Sequence, residues 1–184
     1  ATVLWQILTL EYHQPISPSQ ATLMLGAILS DTVALTSPTT TAHDRTAVKA
    51  LSVISPLTYD TFVKGLLYAK TDIAGLTPDQ LLMKDAKRYQ INGKSILLSQ
   101  IEVAGMSATD AVLPDLLVAL TKECQSCHLD LAMLAVTDIF QKNSTLYFSE
   151  NNALDLTCLS LPGVISRKKD ILPWLTGALS TSSR

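Results

Sequence analysis

Residues 129–139 read LDLAMLAVTDI, a nearly continuous apolar run with turn signals on both sides. That is the pattern of a central sheet strand, apolar on both of its faces. Such a strand needs neighbours, and the surrounding sequence supplies them. Residues 87–91 and 95–103 read as strands joined by Asn92-Gly93, the strongest short-range hairpin signal. Residues 144–148 and 156–161 read as two more strands, and 78–83, 111–122 and 171–179 as helices between and after them. Residues 165–169 read as a polar turn. Strands alternating with helices predict an α/β domain over this part of the chain.

The first seventy residues follow a different period. Val3, Leu4, Ile7, Leu8 and Leu10 recur at helical spacing, which predicts a helix over 1–12 that starts abruptly, as it would in a piece of a longer protein. Ser17 and Pro18 supply an N-cap and a first-turn proline, and Ala21, Leu25, Ile28, Leu29 and Val33 form the buried stripe of a second helix. The loop SPTTT, 37–41, hands over to helices at 42–54 and 59–69. Residues 72–78, with Gly75 and Pro78, read as a linker, and the domain boundary falls there. No internal repeat or low-complexity tract interrupts either part.

Composition narrows the function classes. Apolar residues make up 47% and charged residues 16% of the 184, against a usual charged share of about 25%, so the chain is globular. A net charge of −2 argues against a protein built to coat nucleic acid or acidic membrane, so any anion site must be local. Three cysteines are too few for a disulfide scaffold, which points to a reducing, cytoplasmic setting. The longest apolar segment, 21–35, is broken by Gly26, Ser30 and Asp31 and falls short of the roughly 20 residues a spanning helix needs. No transmembrane segment is expected.

Several residues invite a chemical reading. Cys124, Cys127 and His128 spell C-x-x-C-H, the pattern of covalent haem attachment or half of a zinc site. The pair follows a helix end, where the dipole disfavours a thiolate, and no second C-x-x-C completes a tetrahedral site, so a turn with half-buried cysteines is expected. His13 and His43 read as surface histidines, and Glu11 and Glu102 as single carboxylates without a partner for acid/base work. Asp31 lies inside LGAILSDTVAL, where an ionised carboxylate needs a cation or a donor; metal ligand and helix-end cap both satisfy that need. Arg167, Lys168 and Lys169 sit between Pro162-Gly163 and a helix start, arranged either to converge on one anion or to form a solvated basic turn. Lys84, Lys87 and Arg88 form a second cationic patch.

Taken in order, ILSDT and SPTTT (28–41), DAK (85–87), VTDI (136–139) and PGVISRKK (162–169) resemble the C-terminal part of manganese-dependent family II inorganic pyrophosphatases, in the DHH phosphoesterase superfamily. The resemblance spans essentially the whole chain. It implies that residues 1–71 are the helical end of a DHH domain, 72–78 the linker, and 79–184 a DHHA2 domain with a mixed β-sheet flanked by helices. It makes Asp31 a ligand of an active-site Mn²⁺, with Co²⁺ or Mg²⁺ as alternatives, and Lys87, Arg167 and Lys168 the groups that bind substrate phosphates. Where the family usually has Gln after the last motif, this chain has Asp170.

The remaining metal ligands, a His-x-Asp-x-Asp type set and the Asp-His-His motif, lie upstream in that family and outside this chain. This fragment alone is therefore expected to be inactive. The complete protein is expected to hydrolyse pyrophosphate to two phosphates with a metal-activated water, domain closure bringing the cations to the substrate. A related exopolyphosphatase acting on short polyphosphate is the enzymatic alternative, and a non-catalytic phosphate-binding or assembly module the other. The expected partners are the missing N-terminal DHH segment and the phosphate substrate, without nucleic acid or membrane; a homodimer is left open. A glycine-rich Gly-Gly-Gly-His motif, which marks the branch acting on short nucleic acids, does not occur.

Overall fold

The computed structural model describes residues 1–181; the end of the second domain, expected to run to residue 184, lies partly outside the described residues. Contacts divide the chain into two compact units, one ending at Lys70 and the other starting at Thr71.

The first unit is helical: α1 (Thr2–Gln6), α2 (Pro18–Asp31), α3 (Ala42–Ile54) and α4 (Tyr59–Thr71). Beyond α1 the expected single helix over 1–12 widens into a π-helical turn, Ile7–Glu11, so the apolar spacing fixed the element but not its pitch. Ser17 and Thr41 close reciprocal capping boxes with Gln20 and Asp44, which satisfy amides at the starts of α2 and α3. The core gathers Trp5, Ala21, Leu25, Ile28, Leu29, Ala47 and Leu51.

The second unit is a mixed α/β domain. After α5 (Pro78–Lys84) come β1 (Ala86–Ile91) and β2 (Lys94–Val103), then α6 (Leu113–Ser126), β3 (Leu131–Asp138), β4 (Asn143–Phe148), β5 (Cys158–Pro162) and α7 (Leu172–Thr181). The strands lie in sequence order; β2 and β3 are parallel, with α6 as the crossover, and every other pairing is antiparallel. Asn92 and Gly93 both take positive φ, 52° and 77°, as the two-residue hairpin requires.

Every residue of β3 is buried. Leu97, Ile101, Val103, Ala132, Leu134 and Val136 face α5 and α6, whereas Ile96, Leu98, Leu131, Met133, Ala135 and Leu146 face α7. Alternation along each strand thus assigns every side chain to a face, and a slip of one residue would exchange the two sets.

Two sequence expectations change here. Residues 165–169 are not a polar turn: Ile165 is buried, Ser166 caps a π-helical turn, Arg167–Ile171, and that turn runs on into α7. Helix α6 begins and ends later than expected, so Cys124 lies inside its last turn and Cys127 at its C-cap.

Candidate functional site

In the antiparallel pairing of β1 with β2, Lys87 lies opposite Leu98 and Arg88 opposite Leu97. Lys87 therefore shares the face that carries α7 and the Arg167–Ile171 turn, and Arg88 points to the α6 face. There Arg88 donates to Glu123 at 2.9 Å and to the Cys127 sulfur at 3.1 Å. Those two partners hold its guanidinium in the charged form. The expected patch of Lys84, Lys87 and Arg88 is thus split by the pleat of the strand, and Arg88 leaves it.

On the α7 face the structure joins two motifs whose paired residues, Asp85 and Arg167, are 82 apart in sequence. The Arg167 guanidinium pairs with the Asp85 carboxylate at 2.8 Å and also donates to the Asp85 carbonyl. Its side chain is only 11% exposed, so it is held rather than waving in solvent. Lys87 and Lys168 are exposed, and their ammonium groups make no hydrogen bond or ion pair with a described residue. The Asp170 carboxylate accepts the backbone N–H of Ser166 at 2.9 Å and of Ile165 at 3.4 Å. In this chain Asp170 braces the turn.

Beneath the turn lies a polar row that the sequence reading missed. Gln100, Thr137 and Ser144, from β2, β3 and β4, are all buried on this face and hydrogen-bonded in series. A buried Gln inside SILLSQIEV was the available signal, because a buried carboxamide must find partners.

Asp31 belongs to the first unit. It is the last residue of α2 and exposed, not embedded as its apolar neighbours suggested, and its carboxylate has no partner among the described residues. The helix-cap reading therefore fails. The backbone after it is unusual: Val33, Ala34 and Leu35 all take left-handed φ values of 49°, 50° and 65°, which costs energy for side chains with a Cβ, most of all a β-branched one. The turn is over-determined by its hydrogen bonds. The Thr32 hydroxyl donates to the Ile28 carbonyl and accepts the Leu35 amide, Ser37 N–H reaches the Thr32 carbonyl, and Arg45 donates to the Leu35 carbonyl. Lys70 donates to the Ser30 carbonyl at 2.9 Å. These bonds hold the strained backbone in place beside Asp31.

A hard carboxylate oxygen such as that of Asp31 suits Mn²⁺ or Mg²⁺. Among the described residues no three His, Cys, Asp or Glu side chains gather to hold a metal ion. The C-x-x-C-H residues belong to no such group: Cys124 is buried, its sulfur accepting from Ser149 and donating to the Leu129 carbonyl, and His128 sits at left-handed φ beyond the helix end. His13 and His43 are exposed, as expected. No helix of the described residues is long and apolar enough to cross a membrane.

Comparison with known proteins agrees with this architecture. The family model described as the DHHA2 domain matches residues 64–178, and the chain belongs to that family. A Lactobacillus gasseri protein assigned as a manganese-dependent inorganic pyrophosphatase is 33% identical over 97% of this chain and 61% of its own length. One from Lactiplantibacillus plantarum, with the same assignment, is 35% identical over 98% of this chain and 61% of its own length. A crystal structure assigned as a family II inorganic pyrophosphatase from Methanococcus jannaschii superimposes with a TM-score of 0.84 at 29% identity, covering 97% of this chain and 64% of that one. The resemblance carried by the sequence motifs is borne out, and the chain spans about 61% of the length of the relatives named here.

Proposed function

We propose that the complete protein hydrolyses inorganic pyrophosphate and that this chain supplies its phosphate-binding cations and one metal ligand. The reading is supported by the placement of Lys87 on the sheet face that carries the Arg167–Ile171 turn, by Asp85 holding Arg167 in place, and by the ammonium groups of Lys87 and Lys168 having no partner among the described residues. Cations held in place before the substrate arrives stabilise phosphate charge without reorganising during the reaction. The carboxyl ends of parallel strands are also the usual ligand end of such sheets, and Gln100 and Thr137 lie toward that end of β2 and β3.

In this reading residues 1–71 are the helical end of a DHH domain, 72–78 a linker and 79–184 the DHHA2 domain. Asp31 is one ligand of an active-site manganese ion, and its other ligands come from outside this chain. When bound, manganese supplies an acidified water and neutralises phosphate charge. The residues of this chain do the rest: Lys87 and Lys168 attract the substrate, Arg167 offers a planar fork to a phosphate edge, and the Thr32 to Ser37 turn fixes the direction of Asp31. A cytoplasmic enzyme acting on a soluble anion fits the same picture.

The test is phosphate release by the complete protein with manganese. Arg167→Ala or Lys168→Ala should lower turnover on the order of 10²-fold with manganese affinity intact, and unchanged turnover removes these residues from the site. Release from pyrophosphate compared with short polyphosphate separates this reading from an exopolyphosphatase. Absence of release from both, with phosphate still bound, would make the protein a binding or assembly module.

A further inference from the structure

The turn that carries Arg167 and Lys168 needs something to fix its height and direction over the sheet, and one buried chain of hydrogen bonds does this. Gln100 is 7% exposed, and Thr137 and Ser144 are each 1% exposed. The Gln100 carboxamide nitrogen donates to the Thr137 hydroxyl at 2.8 Å and to the Ile165 carbonyl at 3.1 Å. The Thr137 and Ser144 hydroxyls are 2.8 Å apart, and Ser144 donates to the Val164 carbonyl at 2.7 Å.

Donor and acceptor chemistry gives the row a direction. Gln100 spends both of its N–H donors on Thr137 and Ile165; Ser144 donates its one proton to Val164, so the Thr137 hydroxyl donates to Ser144. The row therefore ends on two consecutive carbonyls, those of Val164 and Ile165, immediately before Ser166, Arg167 and Lys168. Gln100 holds the other cationic segment as well, because its backbone N–H donates to the Asp85 carbonyl, the same oxygen that accepts from Arg167. One residue thus ties the DAK segment to the SRKK segment.

From this geometry we infer that Gln100, acting with Thr137 and Ser144, is the positioning residue of the anion site, setting the separation of Lys87 from Arg167 and Lys168 without touching the anion itself. The inference rests on the proposed phosphate-binding role of those cations. Apolar side chains of similar volume would fill the same space, so filling alone does not call for three polar groups in ordered series. A buried polar row whose donors run in order onto backbone carbonyls favours one arrangement of the backbone it holds.

The experiment uses the whole 184-residue chain, titrated with inorganic pyrophosphate by calorimetry, alongside amide hydrogen exchange without ligand. Gln100→Leu and Thr137→Val should weaken pyrophosphate binding by about tenfold, the scale of one or two lost hydrogen bonds, whereas Thr137→Ser, which keeps the hydroxyl, should bind like the parent chain. In Gln100→Leu the amides of Lys169, Asp170 and Ile171 should exchange faster while those of β3 keep their protection. A parent chain that binds pyrophosphate equally well after Gln100→Leu and Thr137→Val overturns the inference. A parent chain that binds no pyrophosphate counts instead against the phosphate-binding role given to Lys87, Arg167 and Lys168, on which the inference rests. The exchange result then decides the positioning role alone, and unchanged exchange at 169–171 overturns it.

Discussion

The two units carry their candidate residues in opposite ways. In the helical unit Asp31 is aimed by its own chain: the helix before it and the left-handed turn after it are held mostly by bonds three to five residues long. In the sheet unit Arg167 is aimed by residues far away in sequence, Asp85 at a separation of 82 and Gln100 reaching Ile165 at a separation of 65. A site built from local bonds can be read along the chain, whereas one built across strands depends on register. The cores differ in the same sense. The sheet unit covers β3 on both faces, and the helical unit leaves Val53, Leu23 and Val3 at 84%, 74% and 66% exposure.

The largest effect should come from the middle of the sheet. Met133→Ala, at a fully buried site, should cost about 2–5 kcal/mol and be read as a lower denaturation midpoint in the sheet unit, while the helical unit keeps its own. Loss of both transitions together would show that the two units are not independent, and the contrast would break.

The functional contrast comes next. Arg167→Ala in the complete protein should lower turnover on the order of 10²-fold without altering manganese binding, and Asp31→Asn should weaken manganese binding without altering the binding of pyrophosphate to the metal-free chain. Either variant affecting both quantities would mean that the two units do not divide the work.

Smaller effects test the local character of the helical unit. Thr41→Ala removes the acceptor for the Asp44 amide at the start of α3 and should cost about 1 kcal/mol, seen in thermal denaturation.

The smallest effect is a pH dependence. Burial works against the charge of Asp44, but hydrogen bonds from the Thr2 hydroxyl and from the Thr41 amide and hydroxyl outweigh it, so its carboxyl sits below its ordinary value. A carboxyl lowered in the folded state stabilises the fold above its unfolded value, about pH 4, and the contribution disappears as pH falls through the lower folded value. Denaturation midpoints of the parent chain and of Asp44→Asn should therefore converge below that pH. A gap that persists in acid would assign the effect to packing.

Much of the fold was legible because its determinants are local. Ser17 with Pro18 marked α2, the SPTTT loop marked the start of α3, Asn92-Gly93 fixed the hairpin, and the apolar run at 129–139 fixed the central strand. Misses fell where the pattern is silent about pitch or pairing. The apolar spacing of 1–12 marks a helix but does not say where its pitch widens. The basic residues at 167–169 look like a solvated turn unless the Ser166 cap and the Asp170 brace are known.

The site divides along the same line. Lys87, Arg167, Lys168 and Asp31 were named from residue type and motif order, but their environments were not. Asp31 looked buried because its neighbours are apolar, although a helix turns about 100° per residue and the side chain that ends α2 faces solvent. Lys87 and Arg88 looked like one patch, yet successive residues of a strand point to opposite faces, and Arg88 closes on Glu123 instead.

The sequence by itself determined most of the helices and strands and which residues carry charge, since capping, turn geometry and apolar period act within a few residues of the chain. Only the tertiary structure decided that Gln100, Thr137 and Ser144 meet beneath Val164 and Ile165 and that Asp85 meets Arg167. Those contacts follow from the parallel register of β2 with β3 and the antiparallel register of β1 and β4 beside them, which is a property of the whole sheet and of no segment alone.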